Sequence, residues 1–254
     1  MTDSADGTMP PMDDSEALRK QTIDALVERS KRHGTVGIRQ AFLQTGRGRK
    51  AGAGPLARFV RDELGLDLYL LLLLLGRGNV GGHSVTLPSG TWIRALGLTG
   101  PNAEQALSRA FARLEARNLI RRTRTRRGLR AQLLCEDGQR GAYSPPATEY
   151  FQLPLEYWTA DHYKNMPLSG KLMLLVALGE PEKFELPIAR VRDWYGLSDE
   201  TARRGLNWLN RHGFVLHDTR VVTDLFGNRT AKRQATFWQL QGSYHRDRAR
   251  PPEK

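Results

Sequence analysis

WYGLSDETARRGLNWLNRHGFV, residues Trp194–Val215, decides the fold. Gly196 and Leu197 form a turn. Ser198 caps the helix that follows, because its hydroxyl can accept a hydrogen bond from a free amide of the first turn. Ala202, Leu206 and Leu209 recur at spacings of four and three, which puts them on one buried face. Thr201, Arg203, Arg204, Asn207 and Arg211 fall on the other faces. The result is a short helix with one apolar stripe and a cationic, amide-bearing exterior. That exterior suits a DNA major groove, where Arg and Asn pair with base edges. Gly213 ends the helix, and Phe214-Val215-Leu216 begins an extended run.

The same pattern occurs earlier in the chain. Ala95-Leu96-Gly97-Leu98-Thr99 leads into a helix over Pro101–Arg117, then Asn118-Leu119-Ile120. Asn118 takes the helix-ending place of Gly213, since Asn tolerates the left-handed conformation. Leu98 to Leu119 is 21 positions and Leu197 to Phe214 is 17. The four extra residues make about one helical turn, so the faces stay in phase. Leu107, Ala110, Phe111 and Leu114 form the core stripe. Gln105, Ser108, Arg109, Ala112 and Arg113 are left outside.

RRTRTRRGLR follows, with six arginines in ten residues: Arg121, Arg122, Arg124, Arg126, Arg127 and Arg130. Gly128 marks a hairpin tip and Ala131–Cys135 the return strand. Arg122, Arg124 and Arg126 share one strand face, because side chains alternate with period two. So many like charges repel one another unless a polyanion meets them.

The chain has 254 residues, room for two domains, and 39% hydrophobic residues, enough for small cores. Its net charge of +12 favours a polyanionic partner, nucleic acid first and an anionic membrane surface second. The single cysteine, Cys135, allows no intrachain disulfide and fits a reducing cytoplasm. The N-terminus holds no basic residue before Arg19 and no apolar core, so no secretory signal is expected. The leucine run Leu64–Leu75 is interrupted by Gly65, Asp67 and Tyr69. It is shorter than the roughly 20 apolar residues of a spanning helix and reads as a buried core helix. No membrane partner is expected.

The remaining segments complete the plan. Residues 1–14 are acidic and expected to be disordered. Residues 15–54 hold a helix and a basic Gly-rich linker. Ser15 caps a helix over Glu16–His33, with Gly34 as its stop and Ile23, Leu26 and Val27 on one face. That face needs a cover, either the first domain in cis or its own copy in a homodimer. GRGRKAGAG, Gly46–Gly54, lacks the Ser or Thr of a phosphate loop, and nothing before it reads as a buried strand. Its Arg47, Arg49 and Lys50 could meet a DNA backbone. The first domain spans 55–135. It starts with a helical stretch over Leu56–Leu64, then the leucine-rich helix. A strand over His83–Leu87 and a helix carrying Trp92, Ile93 and Leu96 follow. Residues 136–149, with Gly and Pro and no periodicity, are a linker.

The second domain spans 150–242. Tyr150–Tyr157 is extended and followed by a turn or short helix near Trp158, Ser169 caps a helix over Gly170–Leu178, and Phe184–Leu186 is extended again. Pro187–Tyr195 is a helix with Ile188, Val191 and Trp194 inward. A hairpin over Phe214–Val222 and Ala231–Leu240 carries Arg229, Lys232 and Arg233. Residues 243–254 are a charged tail.

The six histidines show no metal-ligand spacing, and no nucleophile elbow, zinc helix or dinucleotide fingerprint is present. No cofactor, no metal and no enzyme activity are expected. Asp199 and Glu200 sit at a helix start, where they complement its dipole.

LGLTGPNAEQALSRAFARLEARNLIRR and YGLSDETARRGLNWLNRHGFV each resemble the winged helix-turn-helix family of bacterial regulators. The resemblance implies a mainly α fold with small β wings (α+β), arranged as tandem winged helix-turn-helix domains. It also implies a sequence-specific double-stranded DNA-binding protein of the cytoplasm and nucleoid, a transcriptional regulator reading two half-sites. The recognition helices would supply Gln105, Ser108, Arg109 and Arg113, and Ser198, Thr201, Arg203, Arg204, Asn207 and Arg211. The wings would supply the hairpin arginines, with Arg229, Lys232 and Arg233. YFQLPLEYW, residues 150–158, is similar to plasmid replication initiators, which implies the alternative of a replication or partition protein of a mobile element. A third reading makes one unit bind protein through Trp194, Trp208 and Trp238. A solvent-facing Trp208 would favour it.

Overall fold

A computed structural model describes residues 14–46, 51–76, 83–126, 128–224 and 231–245. Within them, helices alternate with small antiparallel sheets. α1 (Asp14–Ser30), β1 (Thr35–Arg39), β2 (Gln44–Thr45) and β3 (Gly52–Ala53) come first, then a 3-10 turn over Pro55–Phe59. A first unit follows: α2 (Glu63–Leu75), β4 (Ser84–Thr86), α3 (Ser89–Ala95), α4 (Ala103–Ala116), β5 (Ile120–Thr125) and β6 (Gly128–Leu133). After β7 (Tyr150–Pro154), α5 (Glu156–Thr159) and α6 (His162–Asn165) comes a second unit. It comprises α7 (Leu168–Gly179), β8 (Lys183–Glu185), α8 (Ile188–Tyr195), α9 (Asp199–Arg211), β9 (Val215–Asp224) and β10 (Ala231–Leu240). The order helix, strand, helix, helix, strand, strand therefore occurs twice. Both sheets have the same strand order, β4-β6-β5 and β8-β10-β9.

The opening helices α2 and α7 are leucine-rich, with Glu63, Asp67 and Lys171 as their charged groups, and both are buried nearly throughout. A helix with so little polar face must be covered on nearly every side. In each unit the third helix does part of the covering with one stripe: Leu107, Ala110, Phe111 and Leu114 on α4; Ala202, Leu206 and Leu209 on α9. Gly205 lets α9 close on α7, since a Cβ there would lie 2.2 Å from the Ser169 carbonyl oxygen. Ser198 caps α9 by accepting from the Thr201 amide at 3.2 Å. Asn118 (φ +60) and Gly213 (φ +73) turn the chain after α4 and α9 in the left-handed region.

Several boundaries differ from expectation. α1 stops at Ser30 because Lys31 already turns left-handed (φ +51), ahead of Gly34. The stretch after Pro55 divides in two, because the Asp62 carboxylate caps α2 by accepting from the Gly65 amide at 3.0 Å. Pro167, not Ser169, precedes α7, and Ser169 is buried within its first turn. In α8 the buried residues are Val191 and Tyr195, with Ile188 and Trp194 half-buried. Tyr195 carries a polar tip, and its hydroxyl is satisfied by Glu180.

The largest correction is β1. Val36 and Ile38 are fully buried, so a buried strand does precede Gly46. It pairs antiparallel with β7, from Thr35↔Pro154 to Arg39↔Tyr150. The strand is short and Gly37 interrupts its pattern, but the glycine lies against Pro146 and the Tyr150 ring, where a Cβ would be tight. Residues 136–149, expected as a linker, hold the buried Tyr143 and the fully buried Glu136, which pairs with Arg39. Tyr244, expected in a loose tail, is buried and its hydroxyl bonds the His162 ring at 2.7 Å. Of the stretch 1–14 expected to be disordered, Asp14 begins α1; residues 1–13, Arg47–Lys50 and 246–254 lie outside the described residues.

α1 packs in cis. Its Arg19, Ile23, Leu26 and Ser30 face α2, α3 and α5, so the apolar face considered for a homodimer is already covered. Arg19 is 3% exposed. It binds Glu16, the Asp161 carboxylate at 2.7 Å and the Tyr163 hydroxyl, which donates to the Ala95 carbonyl at 2.8 Å. A second joint lies deeper. Lys171 of α7 is 1% exposed. Its ammonium lies 2.7 and 2.9 Å from the two carboxylate oxygens of Asp67 and 2.8 Å from Glu63, both on α2. No helix among the described residues is long and apolar enough to cross a membrane.

Removing one partner of a buried ion pair strands the other. Lys171→Met is expected to cost about 3–5 kcal/mol in denaturant unfolding, and Lys171→Met/Asp67→Leu to recover most of it. Burial pushes the Asp67 carboxyl up to about 6, against the pull of Lys171. Between roughly pH 4 and 6 the folded chain therefore keeps a proton that the unfolded chain releases. Stability should decline as pH rises through that window, and Asp67→Asn should flatten the decline.

Candidate nucleic-acid interface

α9 buries one stripe and leaves Arg203, Arg204, Asn207 and Arg211 exposed. None of these four has an ion pair among the described residues. Ser198 and Thr201 build the helix start instead of reaching outward: their hydroxyls lie 2.9 Å apart and the Thr201 amide donates to Ser198. Arg203 and Asn207, one turn apart, line a cleft between α9 and β10. Glu185, Arg233, Gln234 and Thr236 form its other wall, and Leu186, Leu206 and Trp238 its apolar floor. Arg233 is not free to reach outward, because Glu185 binds it with two hydrogen bonds. Lys232 is exposed, and Arg229 lies outside the described residues.

The first unit has a cleft in the corresponding place, between α4 and the β5–β6 hairpin. Here the helix contributes Glu104 and Ser108, and the hairpin contributes Arg122, Arg124 and Thr125. Leu87, Trp92, Leu107 and Phe111 lie beneath. The two clefts share a floor of the same character but differ in where their cations come from. In the second unit the helix brings Arg203; in the first the hairpin brings the arginines.

Gln105, Ser108 and Arg109 are exposed on α4 as expected. Arg113, expected on the same outer face, is half-buried and held by Asp62, to which it donates two hydrogen bonds at 2.8 and 2.7 Å. Arg117 joins that carboxylate at 2.6 Å. Burial acts to raise the Asp62 carboxyl, but the Arg113 and Arg117 guanidiniums outweigh it and hold the group below the usual carboxylate range. This ion pair fixes the end of α4 against the start of α2.

The hairpin arginines divide in the same way. Arg121, Arg124 and Arg126 are exposed with no ion pair among the described residues. Arg122 is held by Glu115, which accepts from its amide at 2.9 Å and its Nε at 2.8 Å. Arg130 donates to the Ser84 hydroxyl at 3.0 Å. The expected shared face of Arg122, Arg124 and Arg126 is thus shortened at its base. Arg127 lies outside the described residues. Glu104 and Glu185, which place a carboxylate in each cleft, were missed by sequence reasoning. Glu104 lies one helical turn before Ser108 and could have been found by that spacing. Glu185 could not, since only the β8–β10 pairing brings it to Arg233.

Trp208 is half-buried, stacked on His212 with ring centres 3.9 Å apart and leaning on Phe214. Trp238 is buried. Trp194, like Trp208, is half-buried. Among the described residues, no group of three or more His, Cys, Asp and Glu side chains could hold a metal ion. The chain matches no protein-family model and no curated protein.

Arg113→Ala leaves the buried Asp62 with a single cation and should cost about 1–3 kcal/mol in denaturant unfolding. Because the folded Asp62 carboxyl is depressed, its contribution is present above the unfolded value of about 4 and vanishes as pH falls further. The variant should therefore lose most of its deficit in acid, which a pH series of unfolding curves reads directly.

Proposed function

We propose that the chain binds double-stranded DNA through two winged helix-turn-helix units, with α4 and α9 as recognition helices and the β5–β6 and β9–β10 hairpins as wings. The twice-used element order and the matching strand order support this assignment. The observation that carries it is α9. One face is buried, while Arg203, Arg204, Asn207 and Arg211 are exposed and have no ion pair among the described residues. A helix of this kind fits a major groove, where Arg pairs with guanine and Asn with adenine.

The two units do different work on the duplex. α9 reads base edges with Arg203, Arg204 and Asn207. In the first unit, Arg121, Arg124 and Arg126 of the hairpin meet phosphates or the minor groove, and Gln105 and Arg109 of α4 face the bases. Arg113, Arg122 and Arg233 serve the protein's own geometry, since carboxylates already hold them. The net charge of +12 draws the chain to the polyanion. The role that follows is a transcriptional regulator of the nucleoid that reads two half-sites with one chain. A replication or partition role at a mobile element would use the same surfaces. The stretch YFQLPLEYW, which forms β7 and the start of α5, is what favours it.

Arg204→Ala and Asn207→Ala should each cut the preference for a selected site over other sequences by about 1–3 kcal/mol, measured by competition binding. Arg124→Ala/Arg126→Ala should instead weaken every duplex alike. It should also lower the slope of log affinity against log salt by about 0.9 per lost phosphate contact. An Arg204→Ala chain that keeps its full preference would remove that residue from base reading.

A further inference from the structure

The segment between β3 and α2 lies at the junction of the two units, and both ends of it are fixed. At one end, β3 packs on α8 of the second unit. Ala53 and Ala57 lie so near Gly196, in the turn between α8 and α9, that a Cβ on that glycine would come within 2.9 and 2.7 Å of theirs. Gly196 also has a φ of +65, so the turn is doubly restricted to glycine. At the other end, Asp62 is bound by Arg113 and Arg117 of α4 in the first unit. The Arg117 guanidinium also lies over the Phe59 ring, 4.3 Å from its centre. Leu56 and Phe59 are fully buried beneath.

Two side chains point away from this anchored stretch. Arg58 and Arg61 are exposed, and neither has an ion pair among the described residues. The acidic groups beside them are engaged elsewhere: Asp62 with Arg113 and Arg117, Glu63 with Lys171. Among the described residues their charges are left without a counter-ion, on a backbone already ordered by packing. The position is as telling as the charge. Arg58 follows Ala57, which abuts the α8–α9 turn. Arg61 precedes Asp62, where the Gln105–Arg109–Arg113 stripe of α4 ends.

The geometry points to a backbone-phosphate site formed by Arg58 and Arg61, which grips the duplex between the stretches contacted by α4 and α9. This inference rests on the DNA-binding reading above and adds to it a sequence-independent contact at the centre of the footprint. The backbone that carries the two arginines is already held, so only their side chains lose conformational freedom when a phosphate arrives. Their pairing with phosphate releases condensed counter-ions, and this is the quantity an experiment can isolate.

The test is Arg58→Ala/Arg61→Ala in the full chain, titrated over a salt series. The probes are a selected duplex and a random-sequence duplex of about three helical turns. The double variant should melt at the wild-type temperature. It should weaken on both duplexes by the same factor, with a salt slope smaller by about 1.8. Arg58→Glu/Arg61→Glu should weaken both further without changing the preference between them. A wild type that binds while the Ala double variant keeps the same affinity and slope would overturn the junction site alone. Loss on the selected duplex only would overturn it too, since that is base reading. A wild type that binds neither duplex would overturn the DNA-binding reading, and the junction site with it.

Discussion

A buried ammonium on one helix between two carboxylates on another is the constraint around which the molecule is built. Lys171 cannot leave water unless Asp67 and Glu63 meet it, and those carboxylates sit on α2 while the lysine sits on α7. Apolar contacts alone would let two leucine-rich helices slide past one another. The ion pair specifies one register, because any other leaves a charge stranded in the core. Arg19 repeats the device nearer the surface, tying α1, the end of α3 and the α5–α6 corner with hydrogen bonds and an ion pair. The two units are therefore pinned to each other at one place, and the first unit to the α5–α6 corner at another, by polar groups that tolerate little misplacement.

Pinned units can differ in chemistry without differing in geometry. Each has the same strand order and a cleft in the same place. Yet α9 carries Arg203 and Asn207 into its cleft, whereas α4 carries Glu104 and Ser108. The arginines of the first unit stand on the hairpin instead. On the proposed DNA-binding reading, repetition of the architecture with redistribution of its charges would let one helix discriminate while the other unit supplies grip.

What was legible in the sequence was local. The cap at Ser198, the stripe Ala202–Leu206–Leu209 and the left-handed Asn118 all declare themselves within a few residues, because a helix is stabilised by neighbours three and four positions away. β1 could not be read this way. TVGIR is five residues with a glycine at its centre, and its partner β7 lies far along the chain. The same holds for the site. Exposed Arg203, Arg204 and Arg124 follow from periodicity. The engagement of Arg113, Arg122 and Arg233 by carboxylates does not, because Asp62, Glu115 and Glu185 arrive from other elements. A charge count sums the arginines; only the fold subtracts those that are already paired.

The β1–β7 ribbon makes the first unit an excursion between two strands of one sheet. During synthesis, Val36 and Ile38 must wait until the ribosome has delivered Phe151 and Leu153 opposite them. A protease that nicked the chain between the units would release neither. The leading segment would stay threaded into the trailing one, and the severed halves would travel together as a single particle.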